Sequence, residues 1–568
     1  MIRQIEPACL MRILVVCLVF QALLVPETSV SADRHPRLVV CIVIDQMRAD
    51  YLDRFSDLFG EGGFKRLEGE GARYTNCEYD YAATFTGPGH SVILSGIPVR
   101  RSGIIGNEWF DRGRGRQVYC VEDSSVRSVG ISSEDAAGRM SPRNFGGTSI
   151  GDVLLGASPS SRVIGIAIKD RGAILPAGKH PTGAFWFDPG EGRWITSTYY
   201  FGAPPSWLVQ YNSMRRAESY LGRRWEKLLP ESAYARSGAD DSPGEGTIPG
   251  EKTSVFPHLI RDLDPPGITP RGSAVRRFDA LLPTPFGDEL TADFAEAAVE
   301  GEQLGQREVT DLLSVSFSSP DYCGHLFGPD SHEIEDLYVR LDRTLAQLLE
   351  FLDQRVGLGN VLVVLTADHG VCPLPERAPV RGASRISGRD VLLDLKTRVG
   401  QEFNYNEGLE NLLQTLSNGF IYIDTVAAKE HRFDLTAFND AIMRAALKEP
   451  NIRRCYTRSE MQSLLQSGPS EDTLGHPIAV SFDPRRSGDV ALVPEAYSFF
   501  SGGTTGTTHG SPYAYDRHVP LLFFGFGISP GVYAEACRPN DIAPTIAHIL
   551  GLSPPEGCDG AILHAVTH

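Results

Sequence analysis

Three runs of residues, Leu38–Ile44, Leu312–Phe317 and Val361–Leu365, are continuously apolar and rich in β-branched side chains, and each leads into an aspartate. That character is the one of strands buried on both faces, as in a parallel sheet covered by helices. Asp45 follows the first run directly, Asp321 follows the second after a Ser-Ser-Pro turn, and Asp368 follows the third. A fourth run, Val163–Ile168, ends at Lys169. Ligands of parallel α/β sheets bind beyond the carboxyl ends of the strands, so these polar residues are expected to converge. One aspartate there is an ordinary turn residue; three with a lysine point to a site.

Helical periodicity is clearest over His332–Val356, where Leu337, Leu341, Leu345, Leu348, Leu349 and Leu352 share one face. A strand over Pro520–Phe524 and a helix over Asp541–Leu550 read as the closing unit of the sheet. From Gly172 to Pro283 the chain is rich in Gly, Pro, Trp, Tyr and Ser with little periodicity, and Gly388–Gly503 is a second long interruption. Both read as insertions on one sheet. The expected architecture is therefore α/β, a mostly parallel central sheet flanked by helices. A single catalytic domain would cover 33–568, with cap insertions at about 172–290 and 388–503. The aromatic residues Trp186, Trp194, Tyr199 and Tyr200 in the first insertion are read as its core, with an entrance lining as the other reading.

Arg3 and Arg12 precede the apolar stretch Ile13–Val25, and Val30, Ser31 and Ala32 form a small-residue exit, so residues 1–32 read as a secretory signal. That stretch is shorter than the roughly 20 residues of a membrane-spanning helix. A periplasmic or secreted protein with no stable membrane insertion after signal removal is expected. The balance of 54 Lys plus Arg against 71 Asp plus Glu, a net −17, argues against nucleic acid as a general partner. Eight of ten cysteines lie beyond the signal and none forms a Cys-x-x-Cys pair, which argues against a cysteine zinc site. Export would permit disulfides, and Cys537 with Cys558 is the candidate pair because Pro and Gly turns surround both.

Asp321 and His325 are four residues apart, Asp368 and His369 are adjacent, and His509 follows a Gly and Thr run, which with Asp45 gives three carboxylates and three imidazoles. Zinc takes such mixed oxygen and nitrogen ligands. Two ions about 4 Å apart could share the set and clamp both oxygens of an in-line phosphoryl displacement. Thr86, in Thr-Phe-Thr-Gly-Pro-Gly-His, precedes the apolar segment Ser91–Leu94. It is expected at a helix N-terminus with amides aimed at an anion, either as a nucleophile or as an N-cap. Thr84 and Ser91 are rival hydroxyls.

Seven segments, in order from about residue 38 to residue 550, carry a resemblance: Val-Ile-Asp45-Gln-Met-Arg, Thr86-Gly-Pro-Gly-His, Gly106-Asn107-Glu-Trp-Phe-Asp, Lys169-Asp-Arg171-Gly-Ala, Asp321-Tyr-Cys-Gly-His325, Thr-Ala-Asp368-His369-Gly and Thr-His509-Gly. Together they resemble the phosphate-irrepressible alkaline phosphatases of the alkaline phosphatase superfamily. The resemblance implies that Asp45, Thr86, Asp368 and His369 hold one Zn2+ and Asp321, His325 and His509 a second. Thr86 would be the nucleophile, transiently phosphorylated. Asn107, Lys169 and Arg171 match phosphate-binding groups, with Lys169 standing in for a third, magnesium ion. The implied activity is zinc-dependent hydrolysis of small-molecule phosphate monoesters with release of inorganic phosphate, by a monomer.

A nucleotide pyrophosphatase or phosphodiesterase shares the two-zinc core, but Lys169 and Arg171 count against it, since extra positive charge suits a monoester dianion. No Cys/Ser-x-Pro-x-Arg turn stands at Thr86, which argues against a sulfatase. A binding protein with a degenerate site is disfavoured because all ten proposed site residues are present.

Overall fold

The computed structural model describes residues 35–264, 267, 274–403, 412–468 and 472–567, so the expected signal segment lies outside the described residues. The described residues from Pro36 onwards form one compact unit. Its main sheet contains β1 (Leu38–Ile44), β2 (Ala72–Tyr74), β3 (Ser128–Val129), β4 (Val163–Ala167), β5 (Gly183–Asp188), β6 (Arg193–Ser197), β7 (Asp311–Phe317), β8 (Val361–Thr366), β9 (Leu521–Gly525) and β10 (Gly531–Tyr533). The ten strands run in the order β10-β2-β9-β8-β1-β7-β4-β5-β6-β3. The five central strands, β8-β1-β7-β4-β5, are parallel. Every residue of β1, β7 and β8 is buried, including Ser314 and Ser316 of β7. Ile44 pairs with Phe317 and Val43 with Thr366, so the carboxyl ends of β7, β1 and β8 finish level with one another.

The helices that bear on the site are α1 (Thr86–Ile93), α2 (Asp170–Ala177), α3 (Pro285–Glu302), α4 (Ser319–Phe327) and α5 (His332–Arg355). The leucine face of α5 is buried, and the helix starts at Ser331, whose hydroxyl accepts the Ile334 N–H (3.2 Å). The sequence-based closing unit is present as β9 and the helix Ile542–Ile549, with β9 antiparallel to β8.

Two expectations need correction. Residues 183–188 and 193–197, assigned from sequence to the first insertion, extend the main sheet instead, with β5 parallel to β4 and β6 antiparallel to β5. Trp194 is fully buried and stacks on Phe294 (4.1 Å, 3°), and the Trp186 indole donates to the Ala137 carbonyl (2.9 Å); both belong to the core. Tyr199, by contrast, is exposed. Second, the eight described cysteines are free thiols, and Cys537 faces Cys77 across a β-bridge.

Within 388–503 lies a separate four-stranded antiparallel sheet of Leu413–Ser417, Phe420–Ile423, Val490–Pro494 and Ile452–Thr457. The helices Gly388–Glu402 and Leu435–Ala446 share an apolar cluster with it through Leu395, Val399, Phe438, Ile442 and Ile421. A second cluster joins Phe420, Tyr422 and Val493 to Ala82, which lies in the loop before Thr86. Among the described residues no helix is long and apolar enough to cross a membrane.

Candidate active site

Level strand ends bring Asp45 together with two carboxylates that lie hundreds of residues further along the chain. Asp45 leaves β1, Asp321 sits in the first turn of α4 beyond β7, and Asp368 follows β8. His325 is one turn after Asp321 on α4, so the two share a helix face. Asp45, Asp368 and His369 place one ligand atom each within 4.8 Å of one another, as do Asp321, His325 and His509. The rings of His369 and His509 stack at 3.6 Å, so the groups adjoin.

All three imidazoles are anchored alike. Nδ1 of His325 donates to the Thr507 carbonyl (2.8 Å), Nδ1 of His369 to Gly370 (2.9 Å) and Nδ1 of His509 to Thr84 (2.6 Å). A carbonyl can only accept, so Nδ1 carries a proton and Nε2 is the atom left for a metal ion. His369 Nε2 lies 3.6 Å from Asp45 Oδ1 and 3.4 Å from Asp368 Oδ2. These three atoms are buried and lack hydrogen-bond partners. Burial pushes the His369 pKa down to about 3, so the ring is neutral, while burial and the Asp368 charge push Asp45 well above the usual carboxylate range. Orphaned acceptors converging in a buried pocket are costly unless a cation joins them, so this donor set fits a metal ion. Asp321 Oδ1 lies 3.3 Å from His325 Nε2 and 3.5 Å from His509 Nε2, a second group of one carboxylate and two imidazoles.

Thr86 is the first residue of α1. The N-cap is Phe85 in extended conformation, and no side chain caps the helix, so the Thr86 hydroxyl is not used in capping. Pro88 falls where an N–H would be unsatisfied and costs the helix nothing. Lys169 Nζ lies between the two groups, 2.7 Å from Asp45 Oδ2 and paired also with Asp321 Oδ2. Burial opposes its charge, but the two carboxylates raise its pKa above the ordinary value, so it stays an ammonium.

Asn107 Oδ1 accepts the Gly87 N–H (2.7 Å), which leaves the Asn107 amide N–H groups as donors beside Thr86. Arg171 Nη2 donates to Thr86 Oγ1 (3.4 Å), and Arg171 Nε is buried with no partner. All ten residues singled out from the sequence therefore meet in one place. Asp170 turns from the metal-ligand groups towards the Tyr119 hydroxyl (2.5 Å).

Sequence reasoning missed Gln46 and His90. The Gln46 backbone N–H donates to Asp368 Oδ1 (3.1 Å) and its amide to Asp321 Oδ1 (2.9 Å), tying the two groups together. His90 Nδ1 donates to the Thr86 carbonyl (2.9 Å), 3.1 Å from Asp368 Oδ2, and its Nε2 accepts from Ser316 (2.8 Å). The signal for His90 was its position four residues after Thr86, on the same helix face.

This sheet, with two groups of side chains that could each hold a metal ion at its carboxyl edge and a threonine at a helix start, is an alkaline-phosphatase-like α/β fold. Residues 39–513 match the family described as type I phosphodiesterase / nucleotide pyrophosphatase, and the chain belongs to it. It is 38% identical over 544 residues to alkaline phosphatase PhoV of Synechococcus elongatus, covering 96% of this chain and 95% of that protein. Identity to alkaline phosphatase PafA of Elizabethkingia meningoseptica is 36% over 537 residues, 93% and 94% of the two chains. The crystal structure of PafA superimposes with a TM-score of 0.87, covering 95% of this chain and all of that one at 35% identity. A further PafA structure, TM-score 0.85 and 35% identical over 95% of this chain and all of that one, is of a variant substituted at one threonine, one asparagine, one lysine and one arginine.

Proposed function

We propose that this chain is an exported, zinc-dependent alkaline phosphatase that hydrolyses small phosphate monoesters through a phosphothreonine at Thr86. The observation that carries the reading is the Thr86 hydroxyl, not used in capping and 3.4 Å from Arg171, on a helix whose Gly89 packs against Asp368 of a group that could hold a metal ion. The relatives named alkaline phosphatases support it. So does the PafA variant, whose four substituted positions are spaced as Thr86, Asn107, Lys169 and Arg171 are here.

Asp45, Thr86, Asp368 and His369 would hold one Zn2+ and Asp321, His325 and His509 the other. Bound there, the ions supply Lewis-acid charge at the attacking and leaving oxygens. The Thr86 oxygen attacks phosphorus, and the alcohol departs on the opposite side. The Asn107 amide and the Arg171 guanidinium donate to the non-bridging oxygens, and the Lys169 ammonium adds positive charge where the transition state is most anionic. Water then cleaves the phosphothreonine and frees Thr86 with inorganic phosphate. Two cationic side chains suit a dianionic monoester better than a diester, whose second ester group removes one negative charge.

Acid quenching of zinc-replete enzyme during turnover of a monoester tests the intermediate. Mass spectrometry is expected to find phosphate on the peptide containing Thr86 and none in Thr86→Ala, whose kcat falls on the order of 10⁴-fold or more, as when other enzymes lose their nucleophile. An unmodified Thr86 throughout turnover would sink the reading.

A further inference from the structure

Tyr119 takes no part in the steps above, yet its hydroxyl sits in the middle of the anion grip. It ends a hairpin of strands Glu108–Asp111 and Arg116–Tyr119, which begins one residue after Asn107. Glu108 pairs with Tyr119 and the Cys120 N–H donates to the Asn107 carbonyl (2.9 Å), so the two ends of one hairpin carry Asn107 and Tyr119. The Tyr119 hydroxyl accepts from Arg171 Nη1 (2.9 Å) and donates to Asp170 Oδ1 (2.5 Å), which also takes the Arg171 backbone N–H (2.6 Å). A phenol has one proton. With that proton on Asp170, only lone pairs face Arg171, and the direction of the chain is fixed.

A guanidinium is planar, so holding Nη1 sets the plane of all its donors. Nη2 then meets Thr86 Oγ1, and the partnerless Nε is left for an oxygen of the substrate. We propose that Tyr119 and Asp170 are a positioning pair that sets the Arg171 guanidinium and thereby favours dianionic monoesters over diesters. This rests on Arg171 being a phosphate-binding group, as argued above.

A double-mutant cycle with matched aryl phosphate monoester and diester substrates tests it on zinc-replete enzyme. Tyr119→Phe is expected to lower monoester kcat/KM about tenfold, the worth of a hydrogen bond to a charged group, and to change diester kcat/KM less than about twofold. In an Arg171→Ala background Tyr119→Phe should cost nothing further. Asp170→Asn should reproduce the split, because a neutral amide accepts the phenol proton less strongly than a carboxylate. Equal losses on both substrates, or equal losses with and without Arg171, would mean a merely structural Tyr119 and overturn the pair. A loss in Arg171→Ala with none in Tyr119→Phe overturns the pair alone. No loss in Arg171→Ala removes the phosphate role of Arg171, and the pair's role with it.

Discussion

Gly89 lies on α1 against the loop that carries Asp368. A Cβ there would run into the Asp368 carbonyl oxygen and stand 2.6 Å from the Asp368 Cβ, so glycine is what lets the helix of the proposed nucleophile approach a proposed metal ligand this closely. Gly89→Ala is therefore expected to weaken zinc retention on dialysis and to lower kcat at least tenfold, at an overpacking cost of about 1–3 kcal/mol in stability. Metal analysis alongside thermal unfolding checks both parts. Gln46 shows the same priority of site over backbone ease: it holds φ at 69°, strained for a non-glycine residue, while donating to Asp321 and Asp368. The carboxylates could be read from the sequence because each follows its strand. Gln46 could not, since its role is set by partners 275 and 322 residues away.

The hairpin over 108–119 is braced from outside by the smaller sheet. Asn418 Nδ2 donates to the Glu108 carbonyl (2.6 Å), Phe110 meets Tyr422 edge-on (5.6 Å), and Arg112 pairs with Asp489 (2.8 Å). Asn418 and Gly419 both take positive φ, 50° and 77°, in the two-residue turn between Leu413–Ser417 and Phe420–Ile423. That is the hairpin turn for which Asn-Gly is the preferred pair. We expect the smaller sheet to act as a buttress for Asn107. Asn418→Ala should lower monoester kcat/KM about threefold to tenfold with little change in zinc content, read from steady-state kinetics and metal analysis. An unchanged kcat/KM would separate this sheet from the site. The buried central strands were legible as largely apolar runs, each ending at an aspartate or, at Val163–Ile168, a lysine. β5 and β6 were not, because Gly183, Trp186, Asp188, Arg193 and Thr196 give no clear period, and their place in the sheet is set by pairing with β4. The partner that draws Asp170 away from the metal-ligand groups, Tyr119, is 51 residues away, which no local pattern reveals.

At the scale of the whole molecule, pH acts on buried charge outside the site. Burial pushes His258 down, but Glu251 (2.7 Å) and Glu333 (3.3 Å) outweigh it and raise its pKa to about 9. Burial, helped by the charge of Glu333, raises Glu245 to about 8. Both folded-state values exceed the ordinary ones of 6.5 and 4.5, so folding favours the protonated forms. The His258 contribution is complete below pH 6.5 and lost as pH rises through about 9; that of Glu245 is lost between about 4.5 and 8. At fixed zinc, Tm should fall from pH 6.5 to pH 9.5, and His258→Gln should flatten that slope; a Tm that rises over this range would contradict the assignment. The central claim, a two-metal phosphomonoesterase built around Thr86, is tested most directly by the ratio of kcat/KM for an aryl phosphate monoester to that for the matching diester. Zinc-replete protein is used, with Thr86→Ala as the blank. A ratio far above one that disappears in the variant is expected, whereas a ratio below one would contradict a monoesterase and leave Lys169 and Arg171 without a role.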